Sequence, residues 1–233
     1  MDILLFIISK FYMLMFLTSP YVLVPTPYGR LYLPKKSKSI GRRIITYMTD
    51  MVESQWANYF EDTIKQINGE IFVDVGAAAD GWYSIKASKL NSRVNVVAVE
   101  PSALEYEALL VNLAANGCLK RVLPINAALT DYNGVTILNQ EKVKCMRLDT
   151  LVHNQRYPLN SLRVIKIDVE GAGLTVLRGA TQILQYAKPV IFIEIHNEEE
   201  AESQYFLRNY GYETVLLAGD LLVASPKFRR AGF

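Results

Sequence analysis

The sequence predicts an α/β protein built on a mostly parallel seven-stranded sheet, with helices on both faces and an antiparallel C-terminal hairpin. Three observations predict it. From residue 71 onward, short runs rich in Val and Ile alternate with helical segments, and strands apolar on both faces belong to a covered parallel sheet. Phe72-Val73-Asp74-Val75-Gly76-Ala77-Ala78-Ala79-Asp80-Gly81 passes from a strand through a small-residue turn towards a helix, and Val96-Val97-Ala98-Val99-Glu100-Pro101 is a second strand with an acidic tip. Finally, Ala218-Gly219-Asp220 joins the last two apolar runs, a hairpin signal that reverses the final strand.

The elements follow in order. Residues 1–66 are expected to form a hydrophobic and helical extension, and residues 67–233 the sheet domain. The runs 4–8 and 11–17 are strongly apolar, but Lys10 interrupts them, and a membrane span needs roughly 20 apolar residues. With no basic leader and no A-x-A site, three readings stand: a docked or interfacial helix, which we favour, a monotopic anchor, or a tilted span. Pro20, Pro25, Pro27 and Pro34 predict an extended or looped stretch over 20–40. Lys35, Lys36, Lys38, Arg42 and Arg43 form a basic cluster, read as a solvated loop or as a contact for anionic lipid or an acidic acceptor. Ile44, Ile45, Met48, Met51 and Val52 recur at helical spacing within a helix predicted over 40–66.

Strands are predicted at 71–75, 94–99, 122–127, 164–168, 190–195, 213–217 and 221–224, and helices near 83–90, 103–116, 174–187 and 199–210. Tyr132-Asn133-Gly134 is read as a turn beside a small extra hairpin over 135–137 and 143–146.

Composition narrows the class. The chain has 233 residues, 51% of them hydrophobic and 21% charged, which is globular rather than disordered. A net charge of +2 gives no argument for a nucleic-acid partner. Cys118 and Cys145 show neither CxxC spacing nor a disulfide framework. A cytoplasmic location is the simplest expectation, with peripheral membrane contact through the N-terminus left open.

The site residues point to a nucleoside. The turn brings backbone close to a ligand, and the acid at the tip of the second strand accepts hydrogen bonds from ribose hydroxyls. A dinucleotide site would carry G-x-G-x-x-G, but its first glycine is absent, and Asp74 at the strand tip repels a pyrophosphate. S-adenosylmethionine (SAM), with an ammonium, a sulfonium and no phosphate, fits these residues better than NAD. A phosphate-bearing nucleotide and a purely structural turn are the alternatives. Asp74, Gly76, Ala77 and Gly81 are the candidates for the methionine end, Glu100 and Pro101 for the ribose, and Asn126 and Ala127 for the adenine. Asp168 and Glu170, with Glu194 and His196, crowd two strand ends and would face the acceptor. His196 has the ordinary pKa of a base near neutrality, and Asp168 is the next candidate. The same four groups are also a conceivable divalent-metal set, though no metal is expected. Bland readings stand beside these: Asp168 as a helix cap, Glu194 as a structural partner of Lys166, and His196 as an exposed strand-end residue.

An ordered set of segments resembles the FkbM-type methyltransferases: Glu100-Pro101 with Asn112 and Asn116, Asn126 to Asp131, Arg147-Leu148-Asp149-Thr150-Leu151, Asp168-Val169-Glu170-Gly171-Ala172, Val176 to Ala180, and Glu194-Ile195-His196. The resemblance spans about residues 70 to 224. It implies a Rossmann-like class I methyltransferase fold and SAM-dependent methyl transfer, typically to a hydroxyl oxygen of a sugar, glycan, polyketide or other small acceptor. Two departures stand out. The glycine turn is one residue longer than the family's usual "DVGAxxG", and Gly173 replaces the second glutamate of "EGAE". An NAD-type oxidoreductase and a non-catalytic, membrane-tethered module of the same fold are the competing readings.

Overall fold

Alternate residues of the central strands point to opposite faces, and here both faces are apolar, so the sheet needs a cover on each side. A computed structural model describes residues 19–36, 57–195, 198–217 and 221–226. The seven strands of the sheet are β3 (Ile71–Val75), β4 (Asn95–Val99), β5 (Val122–Ile125), β9 (Leu162–Ile167), β10 (Val190–Glu194), β11 (Glu213–Leu217) and β12 (Leu221–Ser225), in the spatial order β11-β12-β10-β9-β3-β4-β5. The β3–β4, β3–β9, β4–β5 and β9–β10 pairings are parallel. β12 is antiparallel to both β10 and β11, so the reversed strand is inserted one place inside the edge.

One face packs Val73, Val97, Ile165 and Ile191 against α4 (Leu148–Asn154), α5 (Gly173–Arg178) and Leu207 of α6 (Glu198–Arg208). The other packs Phe72, Val96, Val164 and Phe192 against α1 (Ala57–Lys65), α2 (Trp82–Leu90) and α3 (Ala103–Ala115). Phe60 of α1 anchors this second core, with ring centroids 5.3–5.5 Å from Phe72, Tyr83 and Phe192.

Several expectations change. The proline-rich stretch is a hairpin, β1 (Tyr21–Thr26) paired with β2 (Gly29–Pro34), whose Val24, Leu31 and Leu33 are buried in the second core. The prolines are tolerated because a two-stranded ribbon is all edge. Gly29 has φ +149°, and a Cβ there would meet Asn116 Oδ1 at 1.9 Å. The helix predicted over 174–187 is two pieces, α5 and a π-helical turn at Ile183–Ala187. Asp149 accepts from the Gln182 and Ile183 amides at 3.2 and 3.1 Å, starting the second piece separately. The 122–127 strand ends at Ile125, and Ala128–Leu129 is a short strand, β6, in a separate sheet. That sheet adds β7 (Gly134–Leu138) and β8 (Glu141–Met146), in the order β6-β8-β7. The hairpin tip is Asn139-Gln140, with φ 49° and 70°, beyond the Tyr132-Asn133-Gly134 turn.

The apolar runs before residue 19, the 40–56 part of the first helix, Lys38, Arg42, Arg43, His196 and the 218–220 turn lie outside the described residues. Among the described residues no helix is long and apolar enough to cross a membrane.

Candidate active site

A cleft of about 640 Å³ opens beyond the carboxyl ends of β3, β4 and β9, where open α/β sheets hold ligands and within the size of small-molecule sites, roughly 300–1,000 Å³. The glycine turn after β3 forms its floor. Gly76 has φ +77°, and a Cβ there would meet the Asp168 carbonyl oxygen at 1.9 Å, so only glycine lets the turn lie against the β9 exit.

In this turn Ala78 stands in the left-handed region with φ 55°, an uncommon conformation for a residue with a Cβ. The turn's amides are taken by the protein itself. Gly76 and Ala77 N–H both donate to Val99 O at 3.0 Å. Ala78 N–H donates to Glu100 Oε2 and Ala79 N–H to Glu105 Oε2, each at 3.0 Å. Glu100 Oε1 also accepts from Ser102 N–H at 2.8 Å.

Two carboxylates and one lysine sit at the next level. Asp74 is fully buried, with Oδ2 accepting from Ser84 Oγ at 2.7 Å and Oδ1 3.6 Å from Lys166 Nζ. Burial pushes its carboxyl above the ordinary range, against the opposing pull of Lys166 and Ser84. Lys166 Nζ also lies 3.2 Å from Asp168 Oδ2, 3.5 Å from Gly76 O and 4.7 Å from the Tyr83 ring centre. The β3 and β9 register sets Asp74 beside Lys166, so the lysine bridges the two motifs from beneath the floor. Sequence reasoning gave Lys166 only a bland structural pairing. The usable signal was a cation inside the otherwise apolar run 164–167.

The structure brings Gly76, Glu100, Pro101, Ala127, Asp168 and Glu170 to the cleft. It places Asp74 below the floor, where its nearest cation is Lys166, so the direct ligand contact expected of it is replaced by an internal ion pair. Ala77 is buried, and Gly81 begins α2 with φ 58°; neither lines the cleft. Asn126 acts through backbone, donating from Nδ2 to the carbonyls of Glu100 and Pro101 at 2.9 and 3.1 Å. Glu194 is half-buried and not among the lining residues. The shared parity of Asp168 and Glu170 lapses because β9 ends at Ile167. Among the described residues no group of three His, Cys, Asp or Glu side chains is placed to hold a metal ion.

Two family-like segments have structural explanations. Asn112 Oδ1 accepts from Tyr32 N–H at 2.6 Å and its Nδ2 donates to Tyr32 O and Ala79 O at 2.9 and 2.7 Å. Asn116 pairs likewise with Arg30 N–H and O. One helical turn of α3 thus completes the outer edge of β2. Asp149 caps the π-helical turn and is held by Arg147 Nη2 at 3.3 Å.

The wall facing the strand ends comes from β7 and β8, through Thr136, Leu138, Glu141 and Val143, which sequence reasoning did not place in the site. The charge of the lining is one-sided. Glu100, Glu105, Glu141, Asp168 and Glu170 line the cleft, and among the described residues no lysine, arginine or histidine does. Such a site favours a cation and repels phosphate.

Residues 74–214 match the methyltransferase FkbM domain model, more than half of the chain, and the protein belongs to that family. Solved methyltransferases show the same fold. An FkbM methyltransferase from Methylobacillus flagellatus KT is 16% identical with a TM-score of 0.56, over 67% of this chain and 43% of that one. This chain therefore spans less than half of that relative. A precorrin-6y C5,15-methyltransferase from Geobacter metallireducens GS-15 is 13% identical with a TM-score of 0.52, over 73% and 87% of the two chains. The METTL16 methyltransferase domain is 16% identical with a TM-score of 0.51, over 74% and 66%. No curated protein matches the sequence.

Proposed function

We propose that the protein binds SAM in this cleft and directs methyl transfer to a hydroxyl oxygen of a sugar, glycan or other small acceptor. The observation that carries the cofactor is that every charged residue of the described lining is a carboxylate. SAM is cationic at its sulfonium and ammonium, and five carboxylates with no lining cation among the described residues suit it, where a pyrophosphate would meet repulsion and turn amides already donated to Glu100 and Glu105. When bound, SAM supplies an electrophilic methyl group. The family generally uses this cofactor, which agrees with the charge of the lining.

The chain's own residues divide the work. Glu100 receives the ribose: a carboxylate has about four acceptor sites, so bonds from Ala78 and Ser102 are compatible with hydroxyl donors. Val99 and Ala127 give the adenine an apolar slot at the β4 and β5 exits. Asp168, 35% exposed in its side chain, stands at the cleft floor against Lys166 and accepts the acceptor's proton or orients its hydroxyl. Glu170 lies further out on the same exit. The same charge balance supports a neutral acceptor, since an anionic one would be repelled.

Calorimetric titration with SAM, S-adenosylhomocysteine and NAD tests the reading. Micromolar binding of both adenosyl ligands and none of NAD is expected. Glu100→Ala should cost about 1.5–3 kcal/mol of SAM affinity, the value of a hydrogen bond to a charged group; unchanged affinity removes the ribose assignment. Failure to bind either adenosyl ligand would favour a non-catalytic module whose turn is closed by its own carboxylates.

A further inference from the structure

The β7–β8 hairpin has two chemically different faces. Its register pairs Thr136 with Val143 and Leu138 with Glu141 on the side that lines the cleft, and Val135 with Lys144 and Ile137 with Lys142 on the other. Val135 is 63% and Ile137 71% exposed, and Lys142 and Lys144 are exposed beside them. Two branched aliphatic side chains thus stand in solvent, each directly across from a lysine. Tyr132, also exposed, precedes the same hairpin.

We propose that this outer face docks on an anionic lipid surface. The chemistry favours lipid over protein. Protein interfaces enrich aromatic residues and arginine and deplete lysine, whereas Val, Ile and Lys suit a headgroup layer. There the aliphatics enter the acyl boundary, and the lysines run their stems along it and leave their ammonium groups among phosphates. The docking face stands on the hairpin alone and does not rest on the methyl-transfer reading.

The test uses the full chain with Ile137→Cys carrying an environment-sensitive dye. The native thiols, Cys118 and Cys145, are buried, so the label goes to position 137, and Ser92→Cys at the opposite end of the strands is the control. Vesicles of equal parts phosphatidylglycerol and phosphatidylcholine should blue-shift the dye at 137 and not at 92, and pure phosphatidylcholine should do neither. Lys142→Glu with Lys144→Glu should weaken the partition by about tenfold or more. Vesicles that sediment the chain while the 137 dye stays unshifted would mean contact through another segment and overturn the proposal. A shift without lipid that grows with protein concentration would mean that a second copy covers the face, which overturns it equally. The absence of any binding to the anionic vesicles would overturn it as well. SAM takes no part in this readout, so the methyl-transfer reading stands or falls on its own titration.

Discussion

Among the described residues, two antiparallel hairpins lie outside the central sheet, of similar length and opposite fate. The β1–β2 hairpin buries Val24, Leu31 and Leu33 and is stitched to α3 by Asn112 and Asn116. Its Tyr28 donates to Glu61 Oε1 at 2.8 Å, an oxygen that Lys86 also holds at 3.0 Å. The β7–β8 hairpin turns one face to the cleft and leaves Val135 and Ile137 in solvent. Both carry branched aliphatics, so hydrophobicity alone does not decide which becomes core. What decides is whether a helix stands across from the ribbon with side chains that satisfy its free backbone edge. One hairpin is structure; the other is left available as a surface.

This contrast can be broken in graded steps. Leu33→Ala should have the largest effect, about 2–5 kcal/mol of unfolding free energy by denaturant titration, because it leaves a cavity between hairpin and sheet. A loss below about 1 kcal/mol, on the order of a surface change, would mean the hairpin is not part of the cooperative core. Asn112→Ala should cost roughly 1–3 kcal/mol by orphaning backbone groups of Tyr32 and Ala79.

Glu61→Gln should act mainly through pH. Burial alone would raise the Glu61 carboxyl, but Tyr28, Lys86 and Lys65 together hold it below its ordinary 4.5. A lowered carboxyl stabilises the fold fully above its unfolded value and loses that contribution as pH falls through 4.5 towards the folded value. The native protein should therefore lose Tm on acidification below about pH 4.5, and the variant should show a shallower slope over that window; equal slopes would place the acid sensitivity elsewhere. Ile137→Ser in the second hairpin should change stability by no more than about 0.5 kcal/mol. A larger loss would show that the exposed face is covered in the intact chain.

The parts of the fold legible in the sequence were those whose signal is local. The central strands announced themselves because every position between two covered faces must be apolar, as in 164–167 apart from Lys166 and in 191–193. The Gly76 turn and the Glu100 tip were legible because few residues suit a left-handed turn or a strand end facing a ligand. The β1–β2 pairing was hidden because its prolines argue only for an extended or looped stretch, and the Asn112 and Asn116 carboxamides that hold its outer edge lie on a distant helix. The break in the 174–187 helix was hidden because its cause, Asp149, lies on another element. Asp74 shows the same limit at the site: the sequence placed a carboxylate at the strand tip, but whether it meets a ligand or Lys166 depends on the β3–β9 register.

By itself the sequence determined the alternation of strand and helix, the family, and the turn and acid that mark the cleft, since each follows from short-range constraints on backbone and burial. Tertiary structure decided which charges face the cleft and which neutralise each other beneath it, and which hairpin is buried and which is exposed. Those outcomes depend on what stands opposite each side chain, and the chain fixes that only when distant segments settle into one register.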